Sequence, residues 1–174
     1  MLQILKYSIF LFLMFFIGCS QESKHAQLAD EISYSLITDI SKKYPMHYYC
    51  ASGQLMTNVN TMSVDVGIVK LCNVEEARKL VVNYAEEYLY RINHNEKIRP
   101  YLTKYPFTYK EIDLLFGFFD KDQKRPDPNY VVMVSLLNGD LYYYKKNPSS
   151  PRHDFIHKEP YEEALKIANQ GNLE

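Results

Sequence analysis

The sequence of 174 residues has no tryptophan and only six glycines, and it has no long serine or proline tracts. Chains that stay disordered are usually rich in such tracts, so these absences favour a folded protein. An excess of basic charge is also missing, since 20 lysines and arginines stand against 21 aspartates and glutamates. A nucleic-acid partner requires a basic field, and the near-neutral balance argues against one.

Recognisable catalytic motifs are absent as well. The sequence contains no G-x-S-x-G, no H-E-x-x-H and no glycine-rich phosphate loop. His47 and Cys50 lie three residues apart in a predicted strand, so their side chains point to opposite faces and do not form a catalytic pair. The sequence therefore predicts no catalytic residue and no cofactor.

Two groups of possible metal ligands have a spacing that does not suit a metal site. His153 and His157 lie four residues apart, which suits a metal only on a helix, and the region 147–159 is predicted to be a loop. The aspartates of the loop 120–129 lack the third alternate ligand, the glycine and the distal glutamate of an EF-hand. We interpret both segments as solvated polar loops and predict no metal site.

The clearest positive signal lies at the start of the chain. Lys6 precedes an uncharged apolar run over residues 7–17, which is shorter than the roughly 20 residues of a bilayer span. A small Gly18 before Cys19 fits a cleaved secretory signal better than a transmembrane anchor. We therefore expect residues 1–18 to be removed as a signal peptide.

The sequence F-I-G-C at residues 16–19 resembles the lipobox of bacterial lipoproteins, with Phe16 in place of the commoner leucine. The resemblance implies a diacylglyceryl thioether on Cys19, cleavage before it and usually acylation of the new amine. Two or three acyl chains anchor a protein firmly, because each buried methylene contributes about 0.8 kcal/mol. Ser20 follows rather than aspartate, which by the sorting rule of that family favours the outer membrane if the organism is Gram-negative.

After a tether at residues 19–27, residues 28–174 are predicted to form a single domain. Apolar periodicity predicts helices over 27–43, 74–93 and 161–169, and alternating patterns predict strands over 46–56, 62–71, 112–119, 130–137 and 140–145. This order, α-ββ-α-βββ-α, predicts an α+β fold. We expect a two-layer sandwich with a mainly antiparallel sheet of about five strands and helices on one face.

Cys50 and Cys72 are the two cysteines that remain after the predicted lipidation. If the turn between the first two strands lies at 60–62, both are equally far from residue 61. They then face each other and form a disulfide, which an exported protein permits. On a slightly different register both are free thiols. The sequence leaves these two alternatives open.

The segment 95–108 concentrates tyrosine, phenylalanine and proline around an arginine, and such residues are enriched in interface hot spots. It predicts either an interaction surface or an aromatic plug that closes the end of the core. The residues concerned are Arg99, Tyr101, Tyr105 and Phe107. Together with residues 75–78, this segment is similar to parts of small, uncharacterised bacterial lipoproteins. That resemblance covers about a quarter of the chain and implies no activity.

Three consecutive tyrosines, residues 142–144, fall on the last predicted strand, so Tyr143 is expected to oppose its two neighbours. The outer pair either binds a sugar or a protein partner, or covers a sheet face.

Together these features predict a membrane-anchored envelope lipoprotein that acts as a non-enzymatic binding module. Its expected partners are the membrane, through the lipid on Cys19, and envelope proteins. One alternative is an envelope hydrolase in which His47 or His94 meets a carboxylate in a pocket. Another is a small-ligand carrier with a Tyr/Phe-lined pocket between the helix 74–93 and the sheet.

Overall fold

The computed structural model describes residues 23–170. Amphipathic helices and strands with alternating apolar residues form an α+β fold of two layers. Three helices pack on one face of a six-stranded sheet. The elements in chain order are α1 Lys24–Lys43, β1 Met46–Gln54, β2 Thr61–Val69, α2 Val74–His94, a 3-10 turn Arg99–Tyr101, β3 Ile112–Phe119, β4 Val131–Leu137, β5 Asp140–Lys146, β6 His153–Pro160 and α3 Tyr161–Gln170. The predicted signal peptide and Cys19 lie outside the described residues.

The helix boundaries follow from local sequence. Helix α2 begins with a capping box, because the Asn73 side chain accepts the Glu76 N–H and the Glu76 carboxylate accepts the Asn73 N–H, each at 2.9 Å. Helix α1 ends at Lys43, since the residue before Pro45 is disfavoured in the helical region. It begins at Lys24, three residues before the predicted start.

The strands lie in sequence order, β1-β2-β3-β4-β5-β6. Strands β1 and β2 form an antiparallel hairpin, and α2 then crosses over so that β3 runs parallel to β2. Strands β3 to β6 continue as an antiparallel meander. The sheet is therefore mainly antiparallel, as predicted, with one parallel pairing where a helix supplies the crossover.

The sixth strand is the main departure from the predicted fold. Residues 153–160, predicted to be part of a loop, form β6 at the edge of the sheet next to β5. An edge strand is bonded on one side only and commonly carries charges, so it shows little apolar alternation. A β-bulge between Tyr143 and Tyr144 breaks the pattern further. The predicted loop over 147–159 is therefore wrong in its second half.

The covered face of the sheet holds the hydrophobic core. Phe116 of β3 stacks on Tyr84 of α2, with 5.6 Å between ring centroids. Tyr88 is fully buried between α1 and α2, and its hydroxyl bonds to that of Ser33 at 2.6 Å. The stacked Tyr84 and Phe116 rings thus lie between α2 and the sheet, where the small-ligand alternative expects a Tyr/Phe-lined pocket.

Candidate binding surface

The second face of the sheet is open, since no element among residues 23–170 packs over it. Its side chains come from the strand positions that alternate with the core-facing ones. The half formed by β3 to β6 is mainly apolar and aromatic, with Lys158 Nζ 5.2 Å from the Tyr142 ring centroid, and Phe155 is 56 % exposed. Its side chains are those of Leu115, Met133, Tyr142, Tyr144 and Phe155. We call this group the aromatic half of the open face.

The aromatic half is held together by strand pairing. Gly117, Met133, Tyr144 and Phe155 lie side by side in one row across four strands. The Phe155 ring centroid is 6.0 Å from that of Tyr144 and 6.5 Å from that of Tyr142. Tyr143 points the other way and is fully buried, so the three consecutive tyrosines alternate as predicted.

The half formed by β1 to β3 is polar and contains two carboxylates, Asp65 and Asp113. Burial raises the pKa of both side chains, and the charge of Asp113 raises the pKa of Asp65 further. Ser63 donates a hydrogen bond of 3.4 Å to Asp113. No lysine or arginine of the described residues lies within ion-pair distance of either carboxylate. This acidic half therefore carries negative charge that the fold itself does not neutralise.

Two glycines set the shape of the open face beside β1. Gly67 and Gly117 pair across β2 and β3, and the ring of Tyr48 lies over them. A Cβ at Gly67 would lie 2.4 Å from Tyr48 Cε1, and one at Gly117 would lie 2.6 Å from the Tyr48 hydroxyl. Burial raises the pKa of Tyr48, and the charge of Asp65 adds to this, while nearby Arg125 opposes it. The Tyr48 phenol is therefore neutral. Its ring fills the space above Gly67 and Gly117 that larger side chains at those two positions would occupy.

Sequence reasoning missed this tyrosine–glycine arrangement. The available signal was a glycine in the interior of each of two neighbouring strands, which often marks a close approach of another group.

Arg125 lies at the end of the open face next to Phe119. Its guanidinium lies 4.4 Å from the Phe119 ring centroid and donates to the Val132 carbonyl at 3.2 Å.

The predicted interaction segment is divided by the structure. Phe107 is buried and only 2 % exposed, and Tyr101 is half-buried beside His25. Arg99 and Tyr105 remain exposed, with the guanidinium 4.7 Å from the ring centroid. Phe107 therefore packs into the core, as the plug alternative predicts, whereas Arg99 and Tyr105 are exposed and their role in an interaction stays a prediction.

Asn93 fixes this segment and was not singled out from the sequence. Its side-chain amide donates to the Phe107 carbonyl at 2.9 Å, and its side-chain oxygen accepts the Phe107 N–H at 2.8 Å. The tyrosine hydroxyl of Tyr105 donates to the Asn93 carbonyl at 3.3 Å. One side chain at the end of α2 therefore clamps the loop that follows it.

Of the two alternatives left open for Cys50 and Cys72, the structure has the free thiols. The strand register on which the disulfide depended is not formed. Cys50 pairs with Asp65, because the turn between β1 and β2 lies at 55–60 rather than at 60–62. Cys72 lies three residues beyond the end of β2, and burial raises the pKa of its thiol to about 12. Cys50 is exposed at the edge of the sheet.

His153 and His157 are on a strand and face opposite sides of the sheet. The bulge opposite Tyr143 and Tyr144 shifts the alternation, so His153 lies on the open face and His157 on the covered face. His157 Nε2 is 3.6 Å from Glu159. Among residues 23–170 no group of three possible metal ligands comes together.

A buried ion pair joins α2 to β6. Glu159 is 2 % exposed, and Arg78 donates two hydrogen bonds to its carboxylate, at 2.8 and 3.0 Å. The hydroxyl of Tyr143 donates to the same carboxylate. Burial alone would raise the pKa of Glu159, but these hydrogen bonds outweigh it and lower the pKa. A carboxylate held in this way is a structural clamp rather than a general base.

The two histidines of the hydrolase alternative do not form a catalytic set. His47 Nδ1 lies 3.2 Å from the Gln123 side chain, and its ring packs on Phe119. His94 lines a shallow depression of about 390 Å³ that also contains Glu31 and Ser35. The Ser35 hydroxyl donates to a backbone carbonyl and accepts from an arginine, so His94 does not activate it.

We compared the chain with protein-family models, curated proteins and solved structures. No family model, curated protein or solved structure matches it. None of the helices within residues 23–170 is long and apolar enough to cross a membrane.

Proposed function

We propose that the protein is a lipid-anchored, non-enzymatic binding module of the bacterial cell envelope. Its anchor is the lipid on Cys19 that the lipobox-like sequence implies, and its binding surface is the open face of the sheet. The observation that carries the proposal is the division of this face into an aromatic half and an acidic half. A sheet face with such a surface is suited to binding rather than to covalent chemistry.

The chemistry of the two halves indicates the partner. The aromatic half offers tyrosine and phenylalanine rings, which are enriched where protein interfaces are buried. On the acidic half, burial raises the pKa of Asp65 and Asp113, and a partner's lysine or arginine placed near them would stabilise their ionised forms. We therefore propose that the occupant is a segment of an envelope protein that presents a basic residue next to apolar ones.

The anchor is tested by metabolic labelling. Cells that express the wild-type protein are grown with [3H]palmitate, with and without globomycin, which blocks the lipoprotein signal peptidase. We expect label on the wild-type protein, none on Cys19→Ala, and accumulation of the uncleaved form with globomycin. Absence of label on the wild-type protein, or equal label on both proteins, would refute the lipid anchor.

In a Gram-negative cell, we propose that the anchored protein resides in the outer membrane. Separation of inner and outer membranes by density, followed by immunoblotting, tests this location. The expected result is co-sedimentation with the outer membrane, and substitution of Ser20 by aspartate should move the protein to the inner membrane.

A further inference from the structure

The short distance along the chain between Cys19 and the start of α1 restricts how far the domain can lie from a bilayer. Helix α1 begins at Lys24, so only Ser20, Gln21 and Glu22 separate Cys19 from Ser23. Fully extended at about 3.3–3.6 Å per residue, the four steps from Cys19 to Ser23 reach about 14 Å. The end of the domain that carries Ser23 must therefore face the membrane closely. This inference rests on the lipid anchor of the proposed function.

The neighbours of α1 identify that end of the domain. His25 Nε2 lies 2.7 Å from the Leu55 carbonyl oxygen, and its ring centroid is 5.5 Å from that of Tyr101. The β1–β2 turn and the loop after α2 thus flank the first turn of α1. We call this region the tether end and define it as Ser23–His25 with residues 55–60 and 95–110.

The tether end is fixed in shape rather than loose. Val59 donates its N–H to the Tyr101 carbonyl at 2.8 Å and accepts the Thr103 N–H at 3.1 Å, which joins its two loops. The Asn93 clamp on Phe107 holds the remainder of the longer loop. A surface held in this way loses little conformational freedom when it binds.

Apolar and aromatic side chains project from the tether end. Met56, at the tip of the β1–β2 turn, is 93 % exposed and is the most exposed large apolar residue in the described chain. Tyr105 is 51 % exposed. Membrane-contacting proteins bury apolar side chains at the boundary between headgroups and acyl chains, and tyrosine is enriched at that interface.

The charge of the tether end complements an anionic surface. Residues 95–110 contain four cations and one carboxylate, whereas residues 55–60 contain no charge. Lys97 and Arg99 are exposed, and neither has a carboxylate partner within ion-pair distance among residues 23–170.

We propose that the tether end is a second membrane contact and rests on anionic phospholipid beside the lipid anchor. Met56 enters the boundary of the acyl region, and Tyr105 lies at the level of the headgroups. Lys97 and Arg99 bind the lipid phosphates, for which the planar guanidinium of arginine is well suited. The open face of the sheet then stands at the side of the molecule, away from the bilayer and accessible to a partner.

The contact is tested on the lipidated protein in vesicles that contain phosphatidylglycerol. A single cysteine replaces Met56 in a Cys50→Ser background and carries an NBD fluorophore. Cys72 is fully buried, so it does not react. The matched control places the fluorophore at Asp122→Cys, in the loop at the opposite end. We expect a several-fold rise in fluorescence with a blue shift at position 56 and no change at position 122.

Equal spectra at position 56 in vesicles and in buffer would overturn the proposed contact, as would an equal response at position 122. Far-UV circular dichroism confirms that each labelled variant is folded. Both substitutions lie in exposed turns and remove no core side chain.

A second experiment separates this contact from the lipid anchor. The mature chain with Cys19→Ser carries no lipid but retains all of residues 23–170, which contain the whole described core. We expect it to float with phosphatidylglycerol vesicles but not with phosphatidylcholine vesicles. Lys97→Gln and Arg99→Gln should each weaken binding on the order of fivefold, since each cation near an anionic surface contributes about 1 kcal/mol. Lys121→Gln, in the opposite loop, should leave binding unchanged.

The palmitate labelling and the vesicle experiments distinguish failure of the lipid anchor from failure of the tether-end contact. If palmitate labels Cys19 but the lipid-free chain does not bind anionic vesicles and position 56 stays in water, the tether-end contact is wrong and the anchor stands. If palmitate does not label Cys19 but the lipid-free chain binds and depends on Lys97 and Arg99, the contact stands and the anchor is wrong.

Discussion

The two faces of the sheet are built from the same strands but serve different purposes. On the covered face, alternate residues of β2 and β3 are large, apolar and fully buried beneath α1 and α2. On the open face, the residues between them include two glycines and two carboxylates. The covered face therefore contributes most of the stability, whereas exposed side chains of the open face, away from the packing of Tyr48 on Gly67 and Gly117, can be replaced with little effect on the fold.

Neighbouring residues of β3 give the sharpest contrast in stability. Phe116 is fully buried against Tyr84, while Leu115 is half-buried on the open face. We expect Phe116→Ala to lower the free energy of unfolding by about 3–5 kcal/mol, through lost burial and a cavity. Leu115→Ala should lower it by less than about 1.5 kcal/mol. Urea unfolding followed by circular dichroism measures both, and equal losses would contradict the division into faces.

The buried ion pair is the next largest contribution. Arg78→Met leaves the Glu159 carboxylate buried without its partner, so we expect a loss of about 3 kcal/mol in the free energy of unfolding. The double variant Arg78→Met/Glu159→Leu should recover most of that loss, because no unpaired charge remains. If the double variant is as unstable as the single one, the loss comes from packing rather than charge.

This ion pair also predicts a dependence on pH. The folded-state pKa of Glu159 is lower than its ordinary value of 4.5. Its contribution to stability is therefore fully present above about 4.5 and is lost as pH falls through the folded pKa. Urea unfolding of the wild type and Arg78→Met between pH 3 and 7 should show their stabilities converging at acid pH. A constant difference over that range would contradict the assignment.

Replacing Gly67, which lies beneath Tyr48, should lower the free energy of unfolding by a moderate amount. A methyl group in Gly67→Ala would meet the Tyr48 ring at 2.4 Å, so the ring must move. We expect a loss of about 1–3 kcal/mol from this overpacking. In a Tyr48→Ala background the same substitution should cost less, because of the three closest atoms only Phe119 Cε2, at 3.0 Å from the new methyl group, remains. A double-mutant cycle measures the coupling, and additive losses would show that the two residues do not interact.

Replacing a carboxylate of the acidic half should give the smallest change in the free energy of unfolding, and this change should be an increase rather than a loss. The pKa of Asp65 is raised, so its ionised form is disfavoured in the folded state. We expect Asp65→Asn to raise the free energy of unfolding slightly at pH 7 and to have no effect at pH 3. A loss of stability at pH 7 would mean that the carboxylate makes a favourable contact in the fold.

The sequence predicted those parts of the fold that depend on local pattern. Helix α2 was predicted to within one residue, because a capping box and a strong apolar stripe define it. The strand β6 was missed because its pairing with β5 comes from the tertiary structure rather than from alternation. The register of Cys50 was wrong because the sequence did not fix where the β1–β2 turn begins.

The binding surface was predictable only in fragments. The alternation of Tyr142 to Tyr144 was read correctly from strand geometry, since a period of two applies to any strand. The position of Tyr48 over Gly67 and the clamp by Asn93 depend on contacts between different elements; the strand glycines mark only that something approaches closely, and no local pattern marks the clamp.

The central claim is that partners bind the open face rather than the helical face. It is tested most directly by photo-crosslinking in intact cells, with benzoylphenylalanine in place of one tyrosine at a time. Tyr144 lies on the open face, and Tyr34 is 45 % exposed on α1. We expect a discrete crosslinked protein from position 144 and none from position 34. Crosslinks of equal yield from both positions, or none from position 144, would contradict the claim.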